Sequence, residues 1–204
     1  MKKNVWAGLA VGVMIVCMAE LAQATPKLYG NNYYELIEVS NVYGTNNTWT
    51  TANTSAYSSV FNGVNGHLAT ITSQAENDFI FSLVHHDSSE ITLAWLGGHA
   101  SLGWLDGPEM GQNFTYTNWG GIEPNDPGYV FMYTNGILYP GVTPGQWGDS
   151  LPDGTVAQDI PIVGYFVEYE NVSAAPEPAT IVLMCTGLVG LIGSKVLRHQ
   201  NVGG

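Results

Sequence analysis

The sequence is short of positive charge. Its 204 residues include only five Lys and Arg: Lys2, Lys3, Lys27, Lys195 and Arg198. Residues 28–175 contain none. The same stretch carries 15 of the 17 Asp and Glu, for a formal charge of −15; Glu20 and Glu177 are the other two. Nucleic acid is excluded as a partner, because phosphate contacts need Lys and Arg. A buried carboxylate in this stretch has no ammonium or guanidinium to pair with. It must be hydrogen-bonded, protonated or metal-bound. Bound divalent cations would also relieve the self-repulsion of so acidic a chain.

Cysteine is nearly absent as well. Cys17 and Cys185 lie near the two ends, with none between. Disulfide staples, thiol catalysis and zinc–thiolate sites are therefore excluded from the middle of the chain. The motifs of common catalysts are missing too: there is no G-x-S-x-G, no H-E-x-x-H and no phosphate loop. Glu109, Glu123 and Asp149 are the kind of carboxylate a glycosidase needs in facing pairs, but nothing in the sequence pairs them. The expectation is a binding protein, not an enzyme.

Long apolar runs occur only at the ends. Lys2 and Lys3 precede an apolar run over 5–19 and then Ala22-Gln23-Ala24. These are the three parts of a signal peptide over residues 1–24, and the run is short for a membrane span. At the other end, Pro176-Glu177-Pro178 precedes an apolar run, then Lys195, Arg198 and His199. A transmembrane helix over 179–198 is expected, with Lys195 snorkelling and the basic tail cytoplasmic. A buried terminal helix would leave that basic end unexplained. Residues 172–178 read as a linker. Residues 27–171 remain as one exported domain, long enough for a single core.

Oxygen donors are plentiful in that domain. Glu123-Pro124-Asn125, and Asp149 of Trp147-Gly148-Asp149, put two carboxylates and a carboxamide on irregular loop. Hard cations such as calcium take six to eight oxygen ligands of this kind. The surrounding segment 106–145 is poor in aliphatic residues, and loops this long within a domain are usually functional or disordered.

Periodicity sketches the rest. Strands are expected over 33–39, 67–71, 91–96, 102–105, 129–133 and 162–169, with another opening at Trp147. The strand 91–96 should end at Gly97-Gly98. Residues 41–54 read as loop or poor helix. A short helix over 50–61 would turn Ala52, Ala56 and Val60 inward. Ser73-Gln74-Ala75-Glu76 is a capping box, and Ala75, Phe79, Ile80, Leu83 and Val84 form a stripe for a helix over 74–85. The pattern implies an α+β domain with a mostly antiparallel sheet. Trp95, Trp104 and Trp147 read as packing residues, and Trp119 has the better claim to the surface. Tyr129, Tyr133 and Tyr139 fit either a binding face or strand packing. His85 and His86 read as a solvated pair at a helix end. His67 and His99 are isolated in the sequence and carry no assigned role. The N-x-S/T sites at Asn46, Asn53, Asn113 and Asn171 read as chance in a chain rich in Asn and Thr.

Taken in order, these pieces resemble the C-type lectin-like family over residues 33–170. Gly66-His67-Leu68-Ala69-Thr70-Ile71 with residues 73–81 is similar to that family's passage from strand to second helix. Ala94-Trp95-Leu96-Gly97-Gly98 resembles its central strand. Trp104-Leu105-Asp106-Gly107 and Phe114-Thr115-Tyr116-Thr117-Asn118-Trp119 resemble the lead-in to its long loop. Glu123-Pro124-Asn125 resembles its sugar-binding triplet, and Trp147-Gly148-Asp149 its tryptophan–asparagine–aspartate motif. Tyr165-Phe166-Val167-Glu168-Tyr169 resembles its closing strand. The resemblance implies two helices flanking short sheets with a long irregular loop. It also implies calcium as cofactor, held by Glu123, Asn125 and Asp149, with Pro124 in a cis bond and two vicinal sugar hydroxyls completing the shell. The Glu-Pro-Asn order goes with mannose- or glucose-type hydroxyls in that family. This chain departs from the pattern at Gly148, where the family usually has a ligand Asn. It also lacks the acid expected shortly after the triplet, and the paired cysteines. Asp126 is a candidate replacement oxygen. Two functions therefore stay open: calcium-dependent binding of carbohydrate or exopolysaccharide, and non-sugar adhesion or a matrix-structural role on the same fold.

The C-terminal Pro-Glu-Pro, apolar helix and basic tail resemble a PEP-CTERM sorting signal. That resemblance implies an exosortase-type processing enzyme as partner and a Gram-negative host that secretes exopolysaccharide. The protein would be membrane-tethered through the C-terminal helix, then reside at the cell surface or in the extracellular matrix.

Overall fold

The computed structural model describes residues 25–39, 47–84, 92–135, 141–151 and 162–172. The expected signal peptide, the expected transmembrane helix over 179–198 and nearly all of the linker lie outside these residues, as do Asn46, His85, His86, Ile91 and Tyr139. Among the described residues no helix is long and apolar enough to cross a membrane.

The chain opens with an antiparallel pair, β1 (Lys27–Tyr29) and β2 (Asn32–Glu38). Helix α1 (Trp49–Ser58) is capped by Thr48, whose side chain accepts from Thr51 N at 3.1 Å. Its buried face is Trp49, Ala52 and Ala56. Val60, expected on that face, is instead 60% exposed, because the chain leaves the helix at Ser59 for a two-residue hairpin, β3 (Val60–Phe61) and β4 (Val64–Asn65). The strand expected over 67–71 is shorter, β5 (His67–Leu68).

Helix α2 (Gln74–Phe81) begins at the expected cap, with Ser73 Oγ accepting from Glu76 N at 3.2 Å. It ends earlier than its apolar stripe suggests. The inward face also differs: Glu76, Asn77 and Ile80 are buried and Ala75 is exposed. Both polar residues are buried because each has partners inside. Glu76 accepts from Tyr34 Oη and from Thr72 N and Oγ1, the last two replacing the reciprocal half of the capping box. Buried polar groups are tolerated when so paired.

The remaining strands are β6 (Thr92–His99), β7 (Gly103–Trp104), β8 (Tyr129–Asn135), β9 (Trp147–Ser150) and β10 (Ile162–Tyr169). The sheet runs β1-β2-β10-β6-β8-β9, with β5 on β10 and β7 on β6. Every pairing is antiparallel except β10 with β6. Strand β6 does not stop at Gly97. A Cβ on Gly97 would stand 2.7 Å from Leu68 O, so glycine there serves close backbone approach.

Alternation along the strands splits the core in two. Leu93, Trp95, Phe131 and Tyr133 face α1 with Trp49, Ala52 and Ala56. Ala94, Leu96, Val130, Met132 and Phe166 face the other way, with Ile80, Trp104 and Trp147. Trp95, Trp104 and Trp147 are thus core residues, as expected. Trp147 anchors the long loop. Its indole donates to Asn77 Oδ1 at 2.7 Å, and Trp104, Phe114, Tyr116 and Trp119 meet its ring edge-on at 5.6–6.1 Å. Trp119 is accordingly half-buried, packed on this hub rather than free at the surface. Each such ring pair adds about 0.5–1.5 kcal/mol beyond burial, enough to order loop backbone that has few ladder bonds.

Candidate functional site

The loop between β7 and β8 returns to the sheet beside β9. Trp147 N donates to Asn118 O at 2.7 Å, and Gly120 N to Trp147 O at 2.9 Å. This short ladder holds the turn at Gly120–Glu123, where Glu123 N donates to Gly120 O at 2.9 Å. The Glu123–Pro124 peptide bond is cis, as expected. It sets Asn125 back against Glu123: Asn125 N lies 3.3 Å from Glu123 Oε2, and Asn125 Nδ2 lies 3.4 Å from Glu123 Oε1.

Asp149 reaches the same place from β9. Asn125 N also donates to Asp149 Oδ1, at 3.2 Å. The three residues singled out in the sequence therefore converge. Both carboxyl groups accept from the one Asn125 N–H, which brings them side by side. Burial, and then Asp149 beside it, push the Glu123 carboxyl up to about 7. Burial likewise raises Asp149, against the lowering pull of the Glu123 carboxyl and then of the Asn125 and Asp126 N–H groups. Asp126 itself is exposed, and its charge adds to the repulsion felt by Asp149.

One atom of this cluster has no partner. Asp149 is 6% exposed, and its Oδ2 is buried without a hydrogen bond. Gly128 packs against it: a Cβ there would stand 2.7 Å from Oδ2. An orphaned buried carboxylate oxygen beside a second carboxylate, with no Lys or Arg in reach, has the donor chemistry of a cation site. Glu123, Asp149 and the Asn125 amide fit calcium in ligand type. Asn125 would have to present its amide oxygen in place of Nδ2.

Position 148 adds nothing to the set. The space beyond Gly148 is filled: a Cβ would stand 2.5 Å from Phe131 Cζ and 3.0 Å from Tyr133 Oη. That hydroxyl lies 3.4 Å from Glu123 Oε1, so a strand tyrosine touches the site from the side where the missing Asn would project. Tyr133 is both core and site neighbour, two residues along β8 from Phe131, the cross-strand partner of Gly148. Tyr129 is strand packing, its ring tilted against Trp49 at 4.6 Å. Glu109 belongs elsewhere, bound to Thr70 Oγ1 at 2.7 Å. His67 is not isolated in space; it faces Glu168 and Glu170. Its separation from them by 101 and 103 residues hides this in the sequence.

No family model matches the chain. Over 119 residues it is 31% identical to halomucin of Haloquadratum walsbyi, covering 51% of this chain and 1% of that protein. Over 92 residues it is 33% identical to a lectin of Pleurodeles waltl, covering 43% of this chain and 49% of that lectin. The chain thus spans under half the length of both curated relatives. Among solved structures it superposes on the C-type lectin CEL-I of Cucumaria echinata with a TM-score of 0.50, at 18% identity, over 74% of this chain and 99% of that one. The fold is that of the C-type lectins. SPL-2 of Saxidomus purpuratus, described as a Ca²⁺-independent C-type lectin, gives 0.51 at 20% identity over 72% of this chain and 91% of its own. SPL-1, solved in complex with GlcNAc, gives 0.50 at 21% over 74% and 97%. At such identities the likeness carries the C-type lectin fold and not the ligand. The superposed structures are C-type lectins by name, and one of the two curated relatives is a lectin.

Proposed function

We propose that this protein is an exported lectin that binds carbohydrate hydroxyls at a calcium ion held by Glu123, Asn125 and Asp149. The observation that carries the reading is the buried, unpartnered Oδ2 of Asp149 set against the Glu123 carboxyl. Two carboxylates so placed repel unless a proton or a metal ion lies between them. Calcium, when bound, supplies coordination positions that vicinal hydroxyls can fill. The chain's own part is to aim oxygens. Carboxylate oxygens accept hydrogen bonds from the same hydroxyls, and charge-assisted bonds of this kind are the stronger ones. Asn125 N, bonded to both carboxylates, fixes their spacing. With three protein side chains, affinity in the range of about 10⁻⁴–10⁻³ M typical of extracellular modules is expected.

Exopolysaccharide at the cell surface or in the matrix is the ligand class we favour. It follows from the signal-like residues 1–24 and the PEP-CTERM-like residues 176–198, which would tether the protein and present it to an exosortase-type enzyme. Processing is tested by expressing the chain with and without such an enzyme and weighing the product.

The test of the site is calorimetry of calcium into the purified chain with a thermal melt alongside, followed by retention on immobilised glycans with calcium or with chelator. A stoichiometric heat, a raised melting temperature and chelator-sensitive retention support the reading. Loss of all three in Glu123→Gln and in Asp149→Asn completes it; retention unchanged in both variants sinks it.

A second reading rests on position 148. Phe131 and Tyr133 fill the space of a fourth ligand, so a proton rather than calcium would hold Glu123 and Asp149 together. The loop would then serve non-sugar adhesion or a matrix-structural role, or bind sugar without calcium. That reading requires ligand retention to survive the chelator.

A further inference from the structure

Three adjacent strands set Tyr34, Glu168 and His67 side by side. Glu168 on β10 is the direct partner of Tyr34 on β2 and of His67 on β5. Glu170 follows in the turn just after β10. Ligand-type atoms of His67, Glu168 and Glu170 all lie within 4.8 Å of one another. None of these residues belongs to the Glu123–Asp149 site.

The imidazole is held in one state. His67 Nδ1 lies 2.9 Å from Leu68 O. A carbonyl oxygen only accepts, so Nδ1 carries the hydrogen and the lone pair of the neutral ring sits on Nε2. Gly107 backs the ring, since a Cβ there would stand 2.7 Å from Cε1. Nε2 is aimed at the carboxylates, 3.5 Å from Glu170 Oε1. It is buried with no hydrogen-bond partner on a side chain that is 9% exposed.

Glu168, 2% exposed, is a buried carboxylate with hydrogen-bond partners but no cation beside it. Its Oε1 accepts from Asn32 Nδ2 at 2.8 Å and lies 2.7 Å from Tyr34 Oη. Its Oε2 accepts from Thr70 N at 3.2 Å. Thr70 Oγ1 is 3.4 Å from that oxygen, but its single hydrogen is directed to Glu109 Oε2 at 2.7 Å. Lone pairs on one nitrogen and two carboxylates thus point at one another, in a domain with no Lys or Arg beyond Lys27.

We propose that His67 Nε2, Glu168 and Glu170 form a binding site for a divalent transition-metal ion of the zinc class. Imidazole nitrogen and carboxylate oxygen are both zinc ligands, and three protein ligands leave the fourth position for water. Calcium and magnesium favour oxygen alone, so the imidazole argues against them. The Nδ1–H to backbone carbonyl bond is the outer contact that orients metal-bound histidines. Glu170, 27% exposed, opens the site to solvent. The rival occupant is a proton, giving a His67 imidazolium paired with Glu170.

The experiment is zinc calorimetry at pH 7.5 on the chelator-stripped full chain, with metal content measured after gel filtration. One zinc retained per chain is expected. His67→Gln and Glu170→Gln should each weaken it by about 100-fold, the upper end of what loss of an outer partner alone costs. The Glu123→Gln/Asp149→Asn double variant should keep the zinc, which separates this site from the proposed calcium site. Should His67→Gln fail to fold, Glu170→Gln at the half-exposed rim gives the answer. Absence of zinc from the folded chain leaves the proton as occupant and overturns the proposal. Zinc held as tightly by both single variants, or lost from the double variant, overturns it equally.

Discussion

The Phe131 ring occupies the space into which a side chain at Gly148 would project, with Cζ 2.5 Å from the position of a Cβ. The two residues are cross-strand partners on β8 and β9. Restoring an asparagine at 148 therefore meets a buried ring instead of an open coordination sphere. Gly148→Asn is expected to lower stability by about 1–3 kcal/mol, the usual cost of overpacking. It should not tighten calcium binding. A denaturant midpoint and a calcium titration on the variant check both parts; a tighter calcium site with unchanged stability would show that Phe131 yields.

The Glu123 carboxyl, raised to about 7 in the fold, predicts how the metal-free protein responds to pH. A carboxyl whose folded pKa lies above its unfolded value near 4.5 holds more protons folded than unfolded between the two. Stability from this group is thus fully present below about 4.5 and is lost as pH rises through about 7. Burial raises Glu168 to about 7 as well, so it acts in the same direction. The melting temperature of the chelated chain should fall from pH 5 to pH 8. Calcium should restore part of the loss at pH 8 and little at pH 5, because protons then compete for the same oxygens. A melting temperature that stays level across this range refutes the assignment.

Glu123→Gln separates repulsion from binding. The amide removes one of two facing charges and one calcium ligand. The metal-free variant should melt higher than the parent at pH 8 and show no calcium shift. A variant that melts lower and still responds to calcium would place the cation elsewhere.

Asp106 is fully buried, and its carboxylate accepts from Leu68 N, Asn53 Nδ2 and Tyr57 Oη at 2.8, 2.7 and 2.6 Å. It ties α1 and β5 to the start of the long loop. Asp106→Ala strands the buried Leu68 N–H and frees the half-exposed Asn53 and Tyr57 groups to water, and should cost about 1–3 kcal/mol, the penalty of one unsatisfied buried group. Chemical denaturation measures it. A loss under about 1 kcal/mol would mean that water reaches the vacated space.

Much of this protein is readable along the chain. The strand expected at 162–169 is the observed β10, because its alternation and β-branched residues agree with its place in the sheet. The Ser73 cap is likewise local, a hydroxyl three residues from the N–H it accepts from. Structure departs from pattern where polar residues turn inward. The apolar stripe expected on α2 includes Ala75, but tertiary partners draw Glu76 and Asn77 into the core. Gly97 reads as a strand end, yet it marks where β6 meets the Leu68 carbonyl.

The sequence by itself determined the charge, the absence of thiols and the ligand types at Glu123, Asn125 and Asp149, because each is a property of composition or short spacing. It also carried the resemblance that the C-type lectin fold bears out. Tertiary structure alone decided that Asp149 Oδ2 is orphaned, that Phe131 and Tyr133 close the space at Gly148, and that His67 meets Glu168 and Glu170. These facts depend on strand register between segments far apart in the chain. Register follows from burying both faces of the sheet at once, which no local window of residues encodes.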